Sequence, residues 1–86
     1  MAPFDHDDGM IQHSLLVHVL SEHPILFTVA ELVSELARDP EDFGQRDQVE
    51  RAVRDLVRVG ICYRYGPFVF PTRAASYFSE LWDEYA

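Results

Sequence analysis

The sequence predicts an α+β fold, mostly α: a three-helix core, a short β-hairpin and a C-terminal amphipathic helix. Three observations predict it. Apolar residues recur at helical spacing in four separate stretches. A glycine, Gly60, stands where the third of these stretches must stop. Two short apolar and aromatic runs, 61–65 and 68–71, then flank Gly66-Pro67, a two-residue turn with glycine first, as a type II′ hairpin requires.

Taken in order, residues 1–9 read as an acidic flexible tail and 10–86 as a single domain. Within the tail, Asp5, His6, Asp7 and Asp8 can contact a metal ion. The blander reading is a solvated tail with Asp7 or Asp8 capping the next helix, because ligands on a loose tail lack preorganisation. A first helix is expected from about Met10 to Glu22, with Ile11, Leu15 and Val19 on its inner face and Leu16 and Leu20 widening it. His13 and His18 flank that face; at about 140° apart they cannot share a metal. His23-Pro24 ends the helix, and Ile25-Leu26-Phe27 reads as a short first strand. Thr28 and Glu31 form a capping box that opens a helix with Val29, Leu32, Val33 and Leu36 inward and Asp39-Pro40 as its stop. Phe43 is expected to tuck inward from the loop that follows.

The third helix is expected over 47–59, with Asp47 and Glu50 as its capping box and Val49, Val53, Leu56 and Val57 as its apolar stripe. In the hairpin, Tyr65 pairs with Phe68 and Tyr63 with Phe70, so these aromatics share one face with Ile61. Tyr63 and Phe70, near the root, are expected in the core, and Tyr65 and Phe68 at the partly exposed tip. A stacking surface and a plain cross-strand pair are both open for the tip aromatics. Cys62 faces the other way beside Pro71, either as a small packed residue or as a redox-sensitive thiol near Arg64. After Thr72, the expected cap, Ala75, Phe78, Trp82 and Tyr85 cluster within ~80° of a helical wheel, extended by Ala74 and Leu81. Ser76, Ser79, Glu80 and Asp83 take the opposite side.

RDQVERAVRDLVRVGICYRYGPFVFPT resembles the recognition helix and wing of a winged helix-turn-helix DNA-binding domain, and FTVAELVSEL resembles the first helix of that motif. The pattern as a whole is similar to small actinobacterial-type winged-helix proteins of unassigned role. The resemblance implies 47–59 as recognition helix, 61–71 as wing and double-stranded DNA as ligand. One departure stands out: Asp39–Arg46 makes a connection of about eight residues, longer than the usual three or four. The angle between the two helices is therefore not carried over.

Charge both supports and opposes a nucleic-acid partner. The 86 residues carry a net charge of −8. Residues 1–43 hold nine acids and one base, whereas 44–73 hold six arginines against Asp47, Glu50 and Asp55. Positive charge is thus confined to the proposed helix and wing, as a local DNA-facing patch requires. Arg51, Arg54 and Arg58 lie on one side of the helix, where they can grip phosphates or guanine edges. Arg46 and Gln48 near the helix start and Arg64 on the wing complete the candidate surface. Against it, Asp47, Glu50 and Asp55 lie within pairing distance of Arg51, Arg54 and Arg58 along the helix.

Composition excludes some classes. The chain is 48% hydrophobic, enough to fold, and no apolar run reaches the ~20 residues of a membrane helix. No secretory pattern is visible and there is a single cysteine, so a cytoplasmic location is expected. No zinc spacing, phosphate-binding glycine loop or nucleophile with an evident base occurs, so no enzyme activity, cofactor or metal is expected. The expected role is a small DNA-binding transcriptional regulator, homodimeric through Tyr77, Phe78, Leu81, Trp82 and Tyr85. The alternative is an acidic winged-helix module that binds another protein.

Overall fold

The computed structural model describes residues 3–85, and side chains over 8–83. Four helices and a three-stranded antiparallel sheet follow in the order α1 (Pro3–Ser21), β1 (Phe27–Thr28), α2 (Val29–Leu36), α3 (Phe43–Arg58), β2 (Cys62–Tyr65), β3 (Phe68–Pro71) and α4 (Arg73–Tyr85), with strand order β1-β3-β2. The arrangement is α+β, mostly helical, and compatible with a winged-helix-like fold. No described helix is long and apolar enough to cross a membrane.

α1 starts at Pro3, well before the Met10 expected from periodicity, so the acidic segment is helical backbone from residue 3 onward. The side chains of Asp5, His6 and Asp7, the candidate metal group, lie outside the described residues. The inner face is as expected: Leu15 and Val19 are buried, and Ile11 and Leu16 pack beside them. β1 is shifted from the expected strand. It pairs Phe27 with Val69 and Thr28 with Phe68, leaving Ile25 and Leu26 exposed.

The capping box opening α2 is present: the Glu31 N–H donates to Thr28 Oγ1 (3.1 Å) and the Thr28 N–H to Glu31 Oε1 (2.9 Å). The backbone bond from Thr28 holds the Glu31 carboxyl below its ordinary value. α2 stops at Leu36, and Asp39–Asp42 forms a turn closed by an Asp42 N–H bond to the Asp39 carbonyl. α3 then begins at Phe43, not at Asp47. Its cap is Asp42, which accepts from the Gln45 N–H (3.0 Å), so residues 37–42 form the whole connection and the expected Asp47 cap is corrected. Phe43 sits at the first helical position and is 84% exposed, contrary to its expected inward anchoring role.

Gly60 ends α3 as expected. Its φ of +84° lets its N–H reach the Val57 carbonyl (3.1 Å) while the Ile61 N–H reaches Leu56 (3.0 Å), the paired bonds of a Schellman cap. The hairpin register also matches, Tyr65 opposite Phe68 and Tyr63 opposite Phe70, with Gly66 at φ +60°. What differs is which face is buried. Cys62, Val69 and Pro71 pack inward; Tyr63 and Tyr65 are 51% and 70% exposed, and Phe70 is only half-buried. Small side chains let the hairpin approach the helices closely, and because alternation has period two, every aromatic then faces out.

The core is accordingly aliphatic, built from Leu15, Val19, Leu32, Val49, Val53 and Leu56 with Cys62 and Val69 from the sheet. Among the described residues no aromatic side chain is fully buried. α4 likewise turns its aromatic side outward. Thr72 Oγ1 accepts from the Ala75 N–H (3.3 Å), and Ala75, Ser76 and Ser79 are half-buried. Tyr77, Phe78 and Trp82 are each more than 60% exposed.

Candidate nucleic-acid interface

α3 buries Val49, Ala52, Val53 and Leu56 against α1, α2 and β2, which leaves its polar half to divide between two sides. The expected arginine row does not stay together. Arg51 and Gln48 turn toward α1, whereas Arg46 and Arg54 turn toward α2 and the hairpin.

On the α1 side the organising group is Asp8. Its Oδ1 accepts from Gln48 Nε2 (3.0 Å) and from Arg51 Nη2 (2.9 Å), while Arg51 Nη1 pairs with Asp47 Oδ2 (2.8 Å). The Gln48 hydrogen bond is the largest influence on the Asp8 carboxyl. Partial burial opposes it, and the bond and charge of Arg51 add to it, leaving the carboxyl below its ordinary value. The Arg51 guanidinium is raised in turn, chiefly by its bond to Asp8. Farther along, Gln12 Nε2 donates to Asp55 Oδ2 (3.4 Å), and Asp55 Oδ1 pairs with the exposed Arg58 (3.3 Å). The contacts of Asp8 with Arg51 and of Gln12 with Asp55 are not legible in the sequence because both span 43 residues, beyond any helical pairing rule.

The α2 side is open. Arg54 and Arg64 line one cleft of about 320 Å³ with Val29, Glu50, Val53 and Val57. Arg46 lines an adjoining cleft of about 380 Å³ with Val33, Pro40 and the same Glu50. Arg64 reaches this side because it alternates with the outward tyrosines, and its Nε donates to the Gly66 carbonyl (3.1 Å) across the turn. Arg46 and Arg54 form no ion pair among the described residues, so the expected Glu50–Arg54 pairing is absent, whereas Asp47–Arg51 and Asp55–Arg58 are present. Three exposed guanidiniums from two elements thus converge around a single carboxylate.

Comparison with protein-family models, curated proteins and solved structures finds no match. The chemistry of the surface must therefore be read from its own residues.

The other candidates are more sharply limited. Burial pushes the Cys62 thiol up to about 11, which leaves little thiolate for redox chemistry at neutral pH. His18 packs its ring 4.6 Å from that of Phe27, and its Nε2 is buried with no hydrogen-bond partner among the described residues. In α4, Phe78 and Trp82 stack at 6.2 Å with Tyr77 and Leu81 beside them, all four exposed. The Tyr85 side chain, the fifth residue of the expected dimer surface, lies outside the described residues.

Proposed function

We propose that this chain is a winged helix-turn-helix DNA-binding protein, with α3 as recognition helix, β2–β3 as wing, and a role as a small transcriptional regulator. The observation that carries the reading is the convergence of Arg46, Arg54 and Arg64 on one open side of α3, from both the helix and the hairpin. Guanidiniums so placed suit phosphates along a duplex backbone, with Arg58 at the end of the same helix. Local positive charge explains how a chain of net charge −8 approaches a polyanion: the acids are concentrated elsewhere in the sequence. Anisotropy of a labelled random-sequence duplex tests it. Binding at ~50 mM salt should weaken steeply as salt rises, and Arg54→Ala/Arg64→Ala should flatten that dependence by nearly two in log–log slope, at ~0.9 per phosphate contact. Absence of binding at low salt overturns the reading.

We further propose a homodimer through α4. Its exposed Tyr77, Phe78, Leu81 and Trp82 have few partners within the fold. Together they present roughly 500 Å² of surface, a large part of the ~800 Å² per partner found in stable interfaces. Sedimentation equilibrium at micromolar concentration should report a dimer that Phe78→Ser/Trp82→Ser converts to monomer; a wild-type monomer refutes it. A second reading, a module that binds another protein, is favoured by the outward aromatic face of Tyr63, Tyr65 and Phe68. It takes precedence if the duplex titration is negative.

A further inference from the structure

We propose that Asp8 is a built-in competitor for the recognition helix, a carboxylate that occupies Gln48 and Arg51 until duplex DNA displaces it. The inference rests on the DNA-binding reading and adds regulation to the same surface. Gln48 and Arg51 carry the side-chain amide and guanidinium suited to adenine and guanine edges. Both donate to one oxygen of Asp8, at 3.0 and 2.9 Å. A carboxylate that accepts from both donors takes the hydrogen bonds a base edge or a phosphate would otherwise receive.

The contact is suited to competition. It lies at the edge of the α1–α3 packing, where the Asp8 and Arg51 side chains retain 25% and 32% of their exposure, so an incoming anion can reach it. The packing itself comes from Leu15 and Val19 against the apolar side of α3, and does not need the ion pair. Partly exposed pairs of this kind are individually weak, hence displaceable by a duplex that offers several phosphates at once. Arg51 keeps Asp47 as a second partner, so release from Asp8 leaves the guanidinium oriented along α3. The result is a face with two parts. Arg46, Arg54 and Arg64 are open to any duplex, while Gln48 and Arg51 engage only when α1 yields them.

The test compares anisotropy titrations of a short random-sequence duplex with the full chain and its variants at ~50 mM and higher salt. Asp8→Ala should bind about two- to fivefold more tightly than wild type. Its log–log salt slope should stay close to that of wild type, because once Asp8 is displaced both complexes hold the same phosphate contacts. Asp8→Asn, isosteric and able to keep part of the contact, should lie between the two. Asp83→Asn changes net charge equally from α4 and should leave affinity unchanged, and the Asp8→Ala gain should vanish on an Arg51→Ala background. Equal gains from Asp8→Ala and Asp83→Asn, or weaker binding with a lowered Tm for both Asp8 variants, overturn the proposal. If wild type binds and Arg54→Ala/Arg64→Ala weakens it while Asp8 variants change nothing, the competitor is refuted and the DNA reading stands. If no variant binds duplex, the DNA reading falls and the competitor with it.

Discussion

Gly9→Ala and Gly60→Ala add the same methyl group to equally open space, yet they should move stability in opposite directions. Among the described residues, a Cβ built at either position meets no atom within 4 Å beyond its chain neighbours and its own helix backbone, so neither substitution creates a clash. Gly60 has φ +84°, where an L-residue costs ~1–2 kcal/mol; the stiffer unfolded chain returns ~0.4–1, for a net loss near 1 kcal/mol. Gly9 lies inside α1 without a positive φ, and there alanine is favoured by ~0.5–1 kcal/mol. In a domain of this size 1 kcal/mol is roughly 4–8 °C in Tm. Urea and thermal unfolding followed by circular dichroism should therefore show Gly60→Ala several degrees below wild type and Gly9→Ala a few degrees above. A neutral or destabilised Gly9→Ala would refute the extension of α1 through residue 9, and with it the position of Asp8. A neutral Gly60→Ala would refute the left-handed cap.

Three further outcomes are expected. Thr28→Ala should cost about 1 kcal/mol in urea titrations and Thr28→Ser almost nothing, since the cap is one hydroxyl accepting the Glu31 N–H; equal losses would mean that the methyl group matters instead. The folded Asp8 carboxyl lies below its ordinary value of 3.8, so its contribution is fully present above that value and is lost as pH falls through the folded one. The urea midpoints of wild type and Asp8→Asn should accordingly differ by a constant amount near neutral pH and converge in acid, and a constant gap down to strong acid would contradict this. Cys62 should react with iodoacetamide far more slowly than a free thiol at mildly alkaline pH and normally once urea unfolds the chain; rapid native labelling would show that the thiol is not held up to about 11.

What could be read in the sequence is what local chemistry decides. The Thr28–Glu31 box, the Gly60 stop and the Gly66-Pro67 turn each involve residues within a few positions of one another, and each is found where expected. The start of α3 carries a local signal too, because Asp42 followed by Gln45 is a cap upstream of Asp47 that competes with it and prevails. The burial of the hairpin is decided differently. Register fixes which side chains share a face, but the volume available between hairpin and helices decides which face turns inward, and Cys62 and Val69 fit where Tyr63 and Phe70 do not. The same reasoning explains α4, whose serine and alanine side lies against the body while the rings stand clear. The division of the arginine row was invisible for a third reason. A helical wheel places Arg51 with Arg54 and Arg58, but only the tertiary approach of Asp8 draws Arg51 and Gln48 toward α1.

The most direct test of the surface itself is a titration of ¹⁵N-labelled protein with a short duplex, following backbone amides and arginine Nε groups together. The DNA-binding account predicts the largest shifts at Arg46, Glu50, Arg54 and Arg64, with Arg51 and Gln48 changing as Asp8 is displaced and the amides of Ser76–Trp82 unmoved. Shifts confined to Tyr63, Tyr65, Phe68 and α4, or no shifts at all under low salt, would contradict it.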